Sequence, residues 1–200
     1  KYKVHENIEF YTNLRTDRAI ESCDVAVVLV DATEPVSVQD QKVMDKVMGV
    51  RRPSVLVVNK WDLVEKDTHT VDQFKKSMGE VVAKYARLPV IFISALTGQR
   101  VAKVLSLVKQ VHEENYRRIG TPELNDFLER TVGKKHPPAR KGKYIRFYYM
   151  TQSEVAPPTF VFFSNYPELI EKSYISYLNN QLRASFGFDG VPIRLKFRKK

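Results

Sequence analysis

The chain has 200 residues, enough for one large domain or two small ones, and its 43% hydrophobic and 28% charged residues are typical of a soluble globular protein. A single cysteine, Cys23, excludes a disulfide framework and favours a reducing compartment, so we predict a cytoplasmic location. The longest apolar run, residues 25–30, is far shorter than the roughly 20 residues of a membrane-spanning helix, and no membrane partner is expected.

The net charge of +10 is unevenly distributed along the chain. Residues 1–117 carry 18 basic and 16 acidic side chains, whereas residues 118–200 carry 15 basic and 7 acidic ones. Such asymmetry indicates either a solvated basic surface or a contact face for a polyanion such as nucleic acid. We predict a domain boundary between the two segments, because the pattern of apolar residues changes at the same place.

The first segment, residues 1–117, alternates the signals of strands and helices. Apolar runs at residues 25–30, 55–58 and 90–93 predict three strands that are buried on both faces. Because helical patterns separate these runs, the strands are expected to be parallel and joined by right-handed crossovers. The segment is therefore predicted to be an α/β domain with helices flanking a parallel sheet.

Capping residues mark the predicted helices of this segment. Ser37 is positioned to cap a helix over residues 38–48, which Gly49 would end. Thr70 and Gln73 have the spacing of a capping box and predict a second helix. A third helix follows the last strand, with apolar residues every three or four positions.

The second segment has a different order of elements. Thr121 is predicted to cap a helix over residues 121–132, and strands follow at residues 143–152 and 159–164. Pro167 is predicted to begin another helix. The end of the chain alternates apolar and basic residues, which predicts a strand with one face in the core and one solvated, basic face. The order α-β-β-α-β predicts a small α+β domain.

The tetrapeptide Asn59-Lys60-Trp61-Asp62 directly follows the second buried strand. Open α/β sheets bind ligands in the loops at the carboxyl ends of their strands. The Asp62 carboxylate can accept two hydrogen bonds from the adjacent N–H groups of guanine, a pair that adenine lacks. Lys60 can lie over the base plane, and Asn59 can join neighbouring loops. Such a site can reject the wrong base by roughly 10⁴-fold.

A second motif, Ser94-Ala95-Leu96, follows the third strand. The backbone N–H of Ala95 can donate to the guanine O6 atom, where adenine carries an amine. Taken singly, the motifs have ordinary explanations, since Asn59 and Asp62 suit turns and Ser94 can cap a helix. The two motifs after neighbouring strands together favour a guanine site.

The two motifs look like the fourth and fifth signature motifs of P-loop GTPases. Four segments of the second half resemble the end of the Der (EngA) family: Tyr148–Gln152, Pro157–Val161, Asn165–Leu169 and Phe186–Gly190. The resemblance covers nearly the whole chain. It implies that residues 1–117 are the C-terminal part of a P-loop GTPase domain and that residues 118–200 are a KH-like domain. Members of this family have tandem GTPase domains and act in assembling the large ribosomal subunit.

The resemblance also implies the ligands and partners. GTP or GDP is the expected nucleotide, and Mg²⁺ is expected only in the intact protein. The chain has no G-x-x-x-x-G-K-[ST] or D-x-x-G motif, and the resemblance puts both upstream of Lys1. We therefore assign no catalytic residue and no metal ligand, and expect this chain alone to lack GTPase activity. The expected partners are the large ribosomal subunit, through its RNA or proteins, and the upstream GTPase domains.

KH domains clamp RNA with a G-x-x-G loop between two helices. Gly187–Gly190 has this spelling, but a strand follows at once, so we interpret it as a helix C-cap and turn. Basic side chains of the second segment are the predicted RNA contacts. They are Lys134, Lys135, Arg140, Lys141, Arg146, Arg194, Lys196 and Arg198, with Lys199 and Lys200 at the end of the chain. Tyr144 and Tyr148 are predicted on the strand face of Arg146, either to stack on bases or to fill the core.

Two other functions are compatible with the same residues. The chain can be a non-enzymatic RNA-binding adaptor whose α/β half is a degenerate nucleotide fold. It can also be a structural packing module, which predicts no salt-dependent binding of RNA. A P-loop upstream of Lys1 separates the GTPase from the adaptor.

Overall fold

The computed structural model describes residues 15–64, 85 and 87–200. The chain divides into two compact units, Lys1–His112 and Glu113–Lys200. This division falls within the last helix of the first segment, a few residues before the domain boundary that charge and pattern predict. Each unit has its own sheet, so each is described separately.

The first unit contains a three-stranded parallel sheet. Its strands are β1 (Ala26–Asp31), β2 (Ser54–Asn59) and β3 (Val90–Phe92). β2 is central, and its residues Val55, Leu56, Val57 and Val58 have no solvent exposure, as the apolar run predicts. The parallel register pairs Asp31 with Asn59 at the carboxyl ends of β1 and β2. The predicted α/β class is therefore confirmed.

β1 departs from its prediction as a strand buried on both faces. Val28 and Val30 are buried, whereas Val27 and Leu29 are 41% and 55% exposed. The reason is its position, because β1 is an edge strand of the described sheet and only the face with Val28 and Val30 contributes to the core cluster.

Helix α1 (Val38–Val50) begins with the predicted cap. The Asp40 N–H donates to Ser37 Oγ at 3.1 Å, and the Ser37 N–H donates to Asp40 Oδ2 at 2.8 Å, which completes a capping box. The prediction that Gly49 ends the helix is wrong. Arg51 takes the left-handed conformation instead, with φ of 59°, and its N–H donates to the Met48 carbonyl.

Helix α2 (Val101–Tyr116) is the predicted third helix. The helix predicted from Thr70 and Gln73 lies outside the described residues. Across the part of the chain that the structure describes, no helix has both the length and the apolar character needed to cross a bilayer.

The second unit has the predicted order of helices and strands, with one added 3-10 turn. Its elements are α3 (Thr121–Lys134), β4 (Phe147–Glu154), β5 (Thr159–Ser164), the 3-10 turn Pro167–Leu169, α4 (Lys172–Phe186) and β6 (Arg194–Lys199). β5 is central, antiparallel to β4 and parallel to β6. The compact α+β arrangement confirms the predicted class.

Three local predictions in this unit are corrected. Gly120 rather than Thr121 is the N-cap of α3, and no side chain caps this end. β4 begins at Phe147 because residues 140–143 fold into a turn of their own. Pro167 begins only the 3-10 turn, and the helix itself starts at Lys172.

The large fully buried side chains of the second unit's central strand lie on one face of its sheet. Phe160 and Phe162 of β5 and Leu178 and Leu182 of α4 have no solvent exposure. The ring of Phe162 stacks on that of Phe197 with 5.2 Å between centroids. β6 therefore has an apolar face toward the core and a basic opposite face, as its alternation predicts.

The segment Gly187–Gly190 is a helix end and turn, as predicted. Gly187 is the C-cap of α4 with φ of 80°, and Gly190 has φ of 73°. Two carbonyls of the turn, those of Phe188 and Val191, accept hydrogen bonds from Arg183 at 2.6 and 2.8 Å. Phe188 itself is buried in the core. The segment is therefore part of the fold rather than a loop between two helices.

Candidate functional site

The two sequence motifs of the first unit lie side by side at the carboxyl edge of its sheet. The Ile93 N–H donates to the Val58 carbonyl at 2.8 Å, and the Trp61 N–H donates to the Ile93 carbonyl at 3.0 Å. These bonds extend the β2–β3 pairing into the loops that follow the strands. The loop that carries Asp62 is therefore joined to the loop that carries Ala95.

Asn59 joins the two loops through its side chain, as its predicted role requires. Its Oδ1 atom accepts a hydrogen bond of 2.9 Å from the Ala95 N–H. This N–H is the one predicted to donate to the guanine O6 atom, but in the structure Asn59 already accepts from it. Binding of O6 would require the N–H to be shared between two acceptors, so the role of Ala95 stays a prediction.

Lys60 is held by a residue that the sequence analysis did not include in the site. Its Nζ atom lies 2.5 Å from Asp31 Oδ2, at the end of the neighbouring strand β1. Lys60 has φ of 62°, which turns the backbone sharply after β2. Thr33 donates to Asp31 Oδ1 from its N–H at 2.9 Å and from its hydroxyl at 2.7 Å. The only signal in the sequence was the position of Asp31 directly after an apolar run; its register with Asn59 comes from the pairing of β1 with β2.

The Asp31–Lys60 ion pair changes the acidity of its carboxylate. The hydrogen bond from Lys60 and those from Thr33 lower the pKa of Asp31 from 3.8 to about 2. The same contact raises the pKa of Lys60. Because the folded-state pKa of Asp31 is the lower one, the pair stabilises the fold above about pH 4, and this contribution is lost as the pH falls toward 2.

The titration of Asp31 tests this geometry. We expect its side-chain carboxyl ¹³C resonance to titrate with a pKa of about 2 in the wild-type chain, and closer to 3.8 in Lys60→Met, which has no ammonium group. Lys60→Arg keeps a cation and is the matched control, with the pKa staying low. Equal pKa values in wild type and Lys60→Met would contradict the contact.

The remaining motif residues divide into buried and accessible side chains. Trp61 is 3% exposed, and its ring lies 4.4 Å from that of Phe92, so it packs in the core as expected. Ser94 is fully buried, and its Oγ atom accepts a hydrogen bond of 3.1 Å from the Thr97 N–H. Helix α2 begins only at Val101, so Ser94 is not the N-cap of this helix. Asp62 is half-buried and Leu96 is 87% exposed, so both can contact a ligand.

This edge of the sheet has the chemistry for a planar base with two adjacent donors. Asp62 supplies a half-buried carboxylate, and the Asp31–Lys60 pair holds a long aliphatic side chain in the same loop. Leu96 adds an apolar side chain from the second loop. The residues present therefore fit guanine, although their individual roles remain predictions.

The basic residues of the second unit lie in two regions. Arg194, Lys196 and Arg198 alternate along β6 opposite Phe197. Lys196 forms an ion pair of 3.0 Å with Glu154, which lowers the pKa of Glu154. This face therefore has acidic as well as basic side chains.

The second region surrounds the turn between α3 and β4. Its predicted contact residues Lys134, Lys135, Arg140, Lys141 and Arg146 are all exposed. Arg140 forms an ion pair of 3.1 Å with Glu171, and the Lys135 ammonium lies 5.2 Å from the ring centroid of Tyr177. The ten predicted contacts thus separate into four on β6, with Lys200 directly after it, and five around this turn.

Tyr144 and Tyr148 are accessible rather than core residues. Tyr144 is 82% exposed and Tyr148 is 44% exposed. Tyr144 and Arg146 precede β4, so the shared strand face predicted for them does not exist. Their positions are set by the turn at residues 140–143, which was not foreseen.

Searched over residues 15–64, 85 and 87–200, the structure contains no group of three His, Cys, Asp or Glu side chains that could hold a metal ion. This result concerns only those residues.

Comparison with known proteins assigns each unit to a family model. Residues 8–114 match the elongation factor Tu GTP binding domain, and residues 118–198 match the KH-domain-like region at the C-terminus of EngA bacterial GTPase enzymes. The chain is 46% identical over 198 residues to the GTPase Der of Acetivibrio thermocellus, covering 99% of this chain and 45% of that protein. It is 45% identical over 200 residues to the GTPase Der of Halothermothrix orenii, covering 100% of this chain and 46% of that protein. The chain thus spans about half the length of these relatives.

Proposed function

Because the chain belongs to the Der (EngA) family of GTPases, we propose that its first unit holds the guanine base of GTP or GDP within a longer protein. That protein hydrolyses GTP and acts in assembly of the large ribosomal subunit. The observation that carries the proposal is the joining of the two motif loops by the Asn59–Ala95 and Trp61–Ile93 hydrogen bonds. It brings the carboxylate that would read guanine and the second motif to one edge of the sheet.

The residues of this chain bind and select the base, and none is assigned to hydrolysis. Asp62 accepts hydrogen bonds from the guanine ring N–H and amine, whereas adenine offers it no such pair. Asp31 holds Lys60 at the carboxyl edge of the sheet. The aliphatic part of the Lys60 side chain can therefore cover one face of the base. Mg²⁺, when bound, would neutralise charge on the phosphates. The P-loop and the D-x-x-G segment, which would hold the phosphates and the Mg²⁺ ion, are proposed to lie upstream in the longer protein.

Exposed apolar side chains support a first unit that continues beyond this chain. Leu29 of β1 is 55% exposed, and Leu105 of α2 is 74% exposed. Among the described residues, one edge of β1 pairs with no other strand. Exposed apolar side chains mark surfaces that other elements or partners contact, and proteins often cover a free sheet edge. A further strand and helix from the upstream part of the GTPase domain would cover them.

The second unit is proposed to contact ribosomal RNA or a ribosomal protein, with RNA favoured by its charge. Residues 118–200 carry 15 basic and 7 acidic side chains. The predicted contact residues around the turn between α3 and β4 are all exposed, so they are available to phosphates. Through this unit, nucleotide binding by the GTPase domains would control attachment to the ribosomal subunit.

The Asn59→Ala variant of the intact protein tests the guanine site. Removal of the bond to the Ala95 N–H should loosen the second loop and weaken binding of a fluorescent GDP about fivefold to tenfold, since a hydrogen bond contributes about 1 kcal/mol. Asn165→Ala, the same change in the second unit, is the matched control and should leave GDP affinity unchanged.

Two results would contradict the proposal. An unchanged or tighter affinity in Asn59→Ala would mean that the joined loops do not form the base site. If the intact wild-type protein binds no guanine nucleotide but still binds RNA, the adaptor hypothesis replaces the GTPase.

A further inference from the structure

The second unit contains an open cleft of about 960 Å³ at one end of its sheet. Its wall is formed by the turn after α3, the start of β4 and the residues that follow β5. The basic and aromatic side chains around it are His136, Lys143, Tyr144, Arg146, Phe147, Tyr148 and Tyr166. None of the side chains that line the cleft is acidic. It therefore combines apolar surface with positive charge.

Asn165 fixes the backbone on one side of the cleft. Its Nδ2 group donates to the Tyr144 carbonyl at 2.9 Å, and its Oδ1 atom accepts from the Arg146 N–H at 2.8 Å. The Asn165 N–H also donates to the Arg146 carbonyl at 3.2 Å. Both residues of the rim are thus held to the end of β5, and little backbone ordering remains for a ligand to induce.

The adjoining turn is a tight two-residue hairpin. Arg140 and Lys143 exchange two backbone hydrogen bonds of 3.0 and 2.9 Å, and the central residues Lys141 and Gly142 have φ of 51° and 70°. Positive φ at both positions is the geometry of a type I′ turn. Arg140 is further tied to Glu171 by its ion pair. The turn therefore presents Lys143 to the cleft from a fixed position.

Cations already lie on two of the aromatic rings. The Lys143 ammonium is 4.6 Å from the centroid of the Tyr166 ring, and the Lys200 ammonium is 4.9 Å from that of Tyr148. Tyr144, by contrast, is 82% exposed at the rim. Tyr144 is thus the most exposed of the cleft's tyrosines that the structure records as exposed, and it offers its ring for stacking, with Lys143 and Arg146 among the residues that line the same cleft.

From this arrangement we infer that the cleft binds an unpaired base of single-stranded RNA. The base stacks on Tyr144, and Lys143 and Arg146 hold the phosphates on either side of it. Proteins bind single strands in this way, with aromatic side chains for the bases and basic side chains along the backbone. The inference deepens the RNA contact of the proposed function and rests on it. It places that contact around the turn rather than on the face of β6.

The charges around the cleft also indicate the direction in which the RNA chain leaves it and the class of ligand that it binds. A neighbouring cleft of about 470 Å³ shares His136 and Tyr148 but is lined by Asp126 and Glu129 of α3. These carboxylates repel phosphates, so the RNA leaves the larger cleft on the side away from α3. A proline-rich peptide also fits aromatic grooves, but it would leave Lys143 and Arg146 without anionic partners.

The test measures binding of a short fluorescein-labelled oligoadenylate to the intact protein by anisotropy over a range of salt concentrations. Tyr144→Ala should weaken binding about tenfold or more with an unchanged salt dependence, because stacking does not release counterions. Tyr144→Phe keeps the ring and should bind like wild type. Arg146→Gln should lower the slope of log affinity against log salt by about 0.7.

Two comparison variants make the result specific. Tyr116→Ala removes a tyrosine of α2 that is 49% exposed and should leave oligoadenylate affinity unchanged. Arg198→Gln removes from the face of β6 the same charge that Arg146→Gln removes from the cleft. If Arg198→Gln weakens binding while Tyr144→Ala and Arg146→Gln do not, the cleft is overturned and the RNA contact stands. If the wild-type protein shows no salt-dependent binding, the RNA contact itself fails and the cleft inference with it.

Discussion

Replacement of Asp62 by asparagine should change the GTPase domain that contains the first unit, within the intact protein, from a guanine-binding into a xanthine-binding domain. In the proposed site Asp62 accepts from two adjacent N–H groups of guanine, and an amide in its place presents a donor to the guanine amine. Xanthine carries a carbonyl at that position, which accepts from the new amide. Because hydrogen bonds to a charged group contribute about 1.5–3 kcal/mol each, we expect the GDP affinity of this domain to fall about a hundredfold or more.

Fluorescent GDP, ADP and XDP titrations of wild type and Asp62→Asn measure this change. Tight XDP binding by the variant would show that it is folded and that only selectivity has changed. Asp24→Asn, the same substitution at an exposed carboxylate ahead of β1, is the matched control and should bind GDP like wild type. If Asp62→Asn keeps its preference for guanine over adenine, Asp62 does not read the base.

Replacement of Phe162 by alanine should destabilise the second unit by about 3–5 kcal/mol. Phe162 has no solvent exposure and packs against the rings of Phe197 at 5.2 Å and Phe147 at 6.0 Å. The side-chain volume that is lost leaves a cavity on the helix-covered face of the central strand. Since the whole free energy of unfolding of a domain is about 5–15 kcal/mol, the loss is a large part of it.

Hydrogen exchange of peptides from each unit of the intact protein measures this loss. Protection should fall in the peptides of β4, β5 and β6 and stay unchanged in those of β1 and β2, which belong to the other sheet. Phe163→Ala is the matched control from the opposite face, where the ring is half-buried and stacked 4.3 Å from Tyr149. It should cost about 1–2 kcal/mol. Equal costs for both variants would contradict the closer packing of the face that carries Phe162.

Local chemistry accounts for the helices and strands that were predicted well. β5 runs over the predicted residues 159–164 because its β-branched and aromatic residues favour a buried strand. Ser37 was predicted to cap the helix that follows it, and its reciprocal hydrogen bonds with Asp40, three positions later, complete the cap. The ends of elements were less predictable. Gly49 is a helical residue because the backbone reverses at Arg51, and Thr121 follows a cap that uses no side chain.

Contacts between distant residues account for what the sequence did not predict. Asp31 and Lys60 are brought together by the register of β1 against β2. Asn125 forms two hydrogen bonds with the Met150 backbone, of 3.2 and 2.9 Å, along the edge of β4. Neither pair has a sequence spacing that marks it, because strand pairing and helix packing set their separation.

Hydrophobic period, capping chemistry and motif position were sufficient to predict the order of elements, the two fold classes and the two loops proposed to read guanine. The partner of each side chain in these loops became known only from the folded structure. It gave the Ala95 N–H to Asn59 and the Lys60 ammonium to Asp31, and it placed Tyr144 on the rim of a cleft. The reason is physical: a short motif specifies its own backbone and hydrogen-bonding groups, whereas the neighbours that compete for those groups are known only after the strands have paired.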